Sequence, residues 1–227
     1  MIIRNIIIAT ALFFNISTAY AQGNEMPEQP LMSQEELFGA LADDVVLGDE
    51  NAPVTIIEYA SMSCSHCAAF HNNVFSHLKE KYIDTGKVRF IFRDFPLDEP
   101  ALRAAMMARC AAQEGEDKFV KFVKVMFSTQ SNWAPKKNYL EILSNIGKLG
   151  GMTGEQFEQC IADKDLEYSI MNSKFQAAKQ LGVSSTPTFF MNRKIYRGGQ
   201  TTEFLSKQID SIIGSDETPN IHEQKEE

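Results

Sequence analysis

Cysteine is scarce in this chain, with four in 227 residues, at positions 64, 67, 110 and 160. That is too few for a mini-fold stapled by disulfides, so the fold must stand on an apolar core. No second C-x-x-C follows Cys64-Ser65-His66-Cys67, which leaves a structural zinc site short of its four ligands. Past residue 21 there is no apolar run approaching the ~20 residues of a membrane span. There is no basic stripe with interleaved aromatics, which disfavours nucleic acid as a partner, and no internal repeat. Lys and Arg are missing altogether from residues 22–78, which hold nine acids, and the tail 215–227 has five acids and one Lys. The body, residues 79–214, is balanced at 20 bases and 16 acids. Acidity therefore belongs to the ends and to the approach to Cys64, where its plainest effect is solubility.

What is present is ordinary for a soluble globular protein: 44% hydrophobic and 23% charged residues, on a chain long enough to bury a proper core. Residues 1–21 stand apart. Arg4 supplies a positive start, Ile6 to Phe14 an apolar stretch, and Ala19-Tyr20-Ala21 a small-residue cleavage site. This is the pattern of a secretory signal, and its removal would leave 21 bases against 30 acids, a charge of −9. Export places the cysteines where disulfides persist.

The chain is organised around residues 54–70. Val54-Thr55-Ile56-Ile57-Glu58-Tyr59-Ala60 is an apolar, β-branched run of strand type that reaches the polar turn Ser61-Met62-Ser63. Cys64 and Cys67 follow just as a helical pattern begins, with Cys67, Phe70, Val74, Leu78 and Tyr82 recurring at steps of three and four. A cysteine in the first turn of a helix sits where unpaired backbone N–H groups and the dipole favour an anion. The thiolate is the reactive form, so this placement makes Cys64 a nucleophile and a good leaving group. With a second sulfur one turn on, the pair reads as a dithiol–disulfide redox centre. The competing use of C-x-x-C is zinc, for which His71, one turn past Cys67, is the nearest further ligand; it reads instead as a solvated helix residue.

Along the chain, residues 22–44 form a flexible leader and one short helix, whose start at Ser33-Gln34-Glu35-Glu36 has capping-box form. Val45-Val46-Leu47 suits a brief strand. After the strand at 54–60, one helix is expected from Cys64 to Tyr82, then a strand at Val88–Phe92, completing a βαβ unit with parallel pairing. Residues 97–182 change character and read as a helical insertion, with helices near 99–113, 116–128, 138–147, 154–162 and 165–181. Strand pattern then returns as a hairpin, Pro187–Met191 and Lys194–Arg197 about Asn192-Arg193, before a final amphipathic helix. The domain scheme is thus signal 1–21, leader 22–44, first core segment 45–96, insertion 97–182, second core segment 183–214 and a disordered acidic tail 215–227.

This order resembles the thioredoxin superfamily, and the helical insertion makes it similar to the DsbA family of exported thiol:disulfide oxidoreductases. Three motifs carry the resemblance over residues 45–214: Cys64-Ser65-His66-Cys67, Glu58 six residues earlier, and Ser185-Thr186-Pro187-Thr188 before the hairpin. The family's usual intervening pair is Pro-His, whereas Ser-His stands here. The resemblance implies an α/β thioredoxin fold with a helical insertion domain. Cys64 would be the exposed nucleophile and Cys67 the buried resolving thiol, passing a disulfide to a substrate through a mixed disulfide. His66 would either tune the thiolate or merely fill an exposed helix position. Glu58 would be a proton relay for Cys67, or otherwise an outward carboxylate at the strand end. A cis bond before Pro187 would turn the backbone of Thr186 towards Cys64, to pair with an extended substrate.

Cys110 and Cys160 fall on insertion helices and are expected to form a structural disulfide, the alternative being two buried free thiols. The function implied is oxidation of cysteine pairs in newly exported proteins, in the periplasm, by a monomer with no metal or organic cofactor. A membrane quinone-linked protein would reoxidise it. The alternatives are a disulfide isomerase or reductase on the same fold, or a non-catalytic thiol-containing chaperone.

Overall fold

The computed structural model describes residues 31–41 and 44–216. The expected signal segment, residues 22–30 of the leader and the tail beyond 216 lie outside the described residues. A five-stranded mixed sheet positions everything else. Its strands are β1 (Val45–Leu47), β2 (Val54–Ala60), β3 (Val88–Asp94), β4 (Thr188–Met191) and β5 (Lys194–Arg197), in the order β1-β3-β2-β4-β5. Only β2 and β3 run parallel, with Glu58 opposite Phe92; β4 is antiparallel to β2 and sets Phe189 opposite the same Glu58. The β4–β5 hairpin turns at Asn192 and Arg193, both at positive φ (43° and 72°), the two-residue turn whose twist matches that of the strands it joins.

Strand β2 is central and covered on both sides, so its side chains divide between two cores. Ile56, Ala60 and the cysteines Cys64 and Cys67 belong to the larger one, with Phe70, Phe90, Phe92, Phe127 and the Leu205 and Ile209 side chains. Ile57 and Tyr59 face a smaller core of Ile91, Phe95, Val183 and Phe190. The expected single helix over 64–82 is instead three pieces: α2 (Ser65–Asn73), α3 (Phe75–Leu78) and a π-helical turn, Lys79–Ile83. The break falls at Val74, whose φ of −118° departs from helical values, while its N–H still reaches Phe70 O at 2.8 Å. Periodicity of apolar residues survives such a break, which is why the pattern reads through it.

Between β3 and β4 lie six helices, α4 (Glu99–Ala112), α5 (Glu116–Ser128), α6 (Gln130–Trp133), α7 (Tyr139–Leu149), α8 (Gly154–Ala162) and α9 (Lys164–Leu181). Asp98 and Thr153 cap α4 and α8, and α9 stops at Gly182, whose φ of +64° suits the glycine C-cap. Trp133 is buried and donates its indole N–H to Met126 O at 2.9 Å, anchoring the α5–α6 corner. Cys110 of α4 and Cys160 of α8 are joined by a disulfide, a sequence separation of 50. The last helix, α10 (Thr202–Asp216), runs to the start of the acidic tail.

Consecutive residues at the end of β3 tie the outer helices to the sheet. Arg93 is 1% exposed and bonds Asp44 at 2.8 Å, the Tyr59 hydroxyl at 3.0 Å, and the carbonyls of Leu37 and Gly39. It thereby holds α1 (Gln34–Phe38), which starts on the expected Ser33–Glu36 capping box, against the sheet. Asp94 points to the other face and accepts from Arg109 Nε of α4 at 2.6 Å, while Arg109 also donates to Phe92 O.

Removing one partner of a buried pair strands the other charge, so Asp44→Ala should lower stability by about 3–5 kcal/mol and expose α1 to proteases. The measurement is the denaturant midpoint together with limited proteolysis. Replacing Cys110 and Cys160 together by Ala releases the loop they close, and should lower stability by about 4 kcal/mol on the chain-entropy account, read from the same midpoint.

Candidate active site

The site forms where the end of β2 passes into α2 beside the loop leading to β4. Cys64 is the N-cap of α2, with extended backbone (φ −78°, ψ 121°), so the N–H groups of the first turn point towards its side chain. Both Cys64 and Cys67 are free thiols. Cys64 was expected to be exposed; it is only 9% accessible, because its Sγ lies 3.2 Å from the carbonyl of Thr186 across the site. Cys67 is fully enclosed. The Thr186–Pro187 peptide bond is cis, and Thr186 is itself buried beside Cys64.

The two sulfurs are driven in opposite directions. Cys64 is lowered to about 5, first by the Cys67 thiol donating to it, with further help from the Thr186 side chain and the backbone amides of Cys67 and His66; burial works against this. Cys67 is pushed far up by burial, then by its bond to Cys64 and by the negative charge of Glu58. The anion therefore resides on Cys64, and the proton on Cys67. His66 reaches the sulfur through its backbone amide, while its imidazole is exposed on the first turn of α2.

Glu58 is completely buried on the β2 face that carries Cys67. The alternative of an outward carboxylate does not hold. Its Oε2 is 2.8 Å from His71 Nε2, and its Oε1 has no protein partner. His71, expected to be solvated, is 7% exposed: it lies one turn after Cys67 on the same face of α2 and stacks on Phe127 at 4.5 Å. A helical i, i+4 relation to Cys67 was the available signal for this. Gln130 of α6 had no such signal. Its amide donates to the carbonyls of Met62 and Cys64 at 2.8 and 3.0 Å, so the insertion clamps the turn that carries the sulfurs. Among the described residues, no cluster of three or more His, Cys, Asp or Glu is arranged to hold a metal ion.

A mixed sheet of this order, with a dithiol opening the helix after its central strand and facing a cis-proline loop, defines a thioredoxin-fold thiol:disulfide oxidoreductase. A family model described as thioredoxin matches residues 40–211. The chain belongs to that family, in its DsbA-type branch. It is 35% identical over 201 residues to a Rickettsia felis protein named as a protein-disulfide oxidoreductase, covering 87% of this chain and 69% of the relative. It also resembles the crystal structure of Wolbachia pipientis alpha-DsbA1, at 37% identity and a TM-score of 0.76, over 81% of this chain and 97% of that one. The oxidised BdbD structure from Bacillus subtilis shares the fold at 21% identity and a TM-score of 0.68, over 76% of this chain and 94% of that one. The chain spans about two thirds of the length of the rickettsial relatives.

Ultraviolet thiolate absorbance of the reduced protein should titrate with a midpoint of about 5, rising in Thr186→Val, which removes a group favouring the anion. The folded value lies below the unfolded one, so the stabilisation is complete above the unfolded pKa of a thiol and fades as pH falls towards 5. Denaturation across this range should therefore show the reduced form gaining on the oxidised form as pH rises, and the two converging at acid pH.

Proposed function

We propose that this chain is an exported oxidant that introduces disulfides into newly exported proteins, with Cys64 and Cys67 as its redox pair. The single observation that supports it is the contrast between the sulfurs: Cys64 is held as an anion and Cys67 as a thiol. A stabilised thiolate is a good leaving group and favours the reduced enzyme over its own disulfide, so the disulfide is readily given away.

A substrate thiolate attacks Cys64 Sγ, the Cys64–Cys67 bond breaks, and the electron pair leaves on Cys67, which takes a proton. A second substrate thiolate then attacks the substrate sulfur of the mixed disulfide, forming the product disulfide and releasing Cys64 as thiolate. The enzyme now carries two more electrons, which it returns to a partner disulfide, in this proposal that of a membrane quinone-linked protein. The cycle calls for no metal or organic cofactor. Glu58 exchanges the proton with Cys67, the backbone amide of His66 favours the Cys64 thiolate, and the backbone of Thr186, held by Pro187, pairs with an extended substrate strand. Residues 1–21 direct export to the periplasm, where the chain acts as a monomer.

In oxidative refolding of a reduced test protein, Cys64→Ser and Cys67→Ala should both fall to background. Given a disulfide-bearing substrate, Cys67→Ala should accumulate mixed disulfides on Cys64, visible on non-reducing gels. A reduction potential as low as thioredoxin's would overturn the oxidant assignment and favour a reductase or isomerase.

A further inference from the structure

Cys67 must gain a proton when its bond to Cys64 opens and lose one when the bond re-forms, yet its sulfur has no contact with solvent. Glu58, close enough to bias Cys67 by its charge, is equally sealed. One of its oxygens has no protein partner, and the other is bonded to His71 Nε2 at 2.8 Å. A carboxylate that exchanges protons with Cys67 therefore needs its own route to water, and only His71 touches it through a polar atom among the described hydrogen bonds. The His71 ring also lines a cavity of about 170 Å³, walled by Phe75 and Phe119 and rimmed by Ser76, Lys79, Glu80 and Lys124.

We propose that His71 is the proton outlet of the Cys67–Glu58 relay, exchanging protons between Glu58 and water in this cavity. The inference rests on Glu58 serving Cys67, as proposed above. On opening of the disulfide, the Glu58 carboxylate takes a proton from His71 Nε2 and passes it to the Cys67 thiolate, returning to the carboxylate. The ring takes a proton from cavity water at its other nitrogen as Nε2 gives one up; closing runs the same transfers backwards, with no electrons moving along the path. The outlet lies near the far end of α2 from Cys64. A protein substrate lying over Cys64 and the Thr186 loop would shut off water from that side, and the rear cavity leaves proton exchange open while it is bound. His71 acts through Glu58 and is a positioning and relay residue.

The titratable groups facing the pair are Cys64 and Cys67 from α2, Lys79 and Glu80 from the π-helical turn, and Lys124 from α5. Strands β3 and β4 set Phe92 and Phe189 beside Glu58 and add no charge. The pH dependence of the Cys67 step therefore reports on few groups.

The test is single-turnover release of glutathione from Cys64 by attack of Cys67, followed across pH in the whole protein. His71→Gln keeps an N–H donor for Glu58 and much of the packing, but cannot pass on a proton. It should slow release tenfold or more near neutral pH, in the range of a lost general acid–base group (about 10²-fold at the upper end expected here), and flatten the pH profile. Glu58→Gln should slow it similarly, with the double variant no slower than either. Wild-type rate and profile in His71→Gln, with Glu58→Gln slow, would overturn the outlet and leave the Glu58 relay standing. If neither variant is slow, the relay falls, and the outlet with it. Should His71→Gln fail to fold, nitrogen NMR of the His71 ring in the unaltered protein decides. Ring nitrogen shifts that differ between the oxidised and reduced forms are expected, and identical shifts in the two forms would overturn the proposal.

Discussion

The unequal treatment of two sulfurs three residues apart is the constraint on which this protein depends. Cys64 caps a helix whose first-turn amides need an acceptor, whereas Cys67 is inside the helix with its donors already used and hydrocarbon around it. A negative charge is therefore welcome at the first position and costly at the second. The sheet order makes this possible. Because β4 lies against β2, the loop before β4 meets the end of β2, and Thr186 comes to rest on Cys64.

The helical insertion contributes more than bulk. Gln130 holds the carbonyls of Met62 and Cys64, and Phe127 stacks on the His71 ring. The insertion is itself moored by Arg109, which reaches Asp94 and the Phe92 carbonyl at the end of the strand that flanks Glu58. Arg93 and Asp94 are neighbours in sequence but point to opposite faces, as strand geometry requires, so one residue pair fastens α1 on one side and α4 on the other. Buried charges of this kind cost desolvation and are kept only where fully partnered, which is the case for the many bonds of Arg93.

Much of the architecture was legible because it rests on local pattern. Apolar runs of strand type marked β2 and β3, and a capping box marked the start of α1. The break of the long helix at Val74 was not legible, since the same i, i+3, i+4 spacing continues across it. His71 was misjudged for a related reason. A polar residue in a helix is usually solvated, and nothing local says that a buried acid on another element awaits it.

By itself the sequence placed the candidate site: two cysteines one helical turn apart, following an apolar strand. Tertiary structure decided how that centre is tuned. The depth of Cys64, the buried Glu58–His71 pair, the contact of Thr186 and the clamp from Gln130 join residues as much as 122 positions apart. Such contacts depend on which faces meet when the sheet and its helices pack. Local propensity carries no information about that, because each partner is satisfied only by the other.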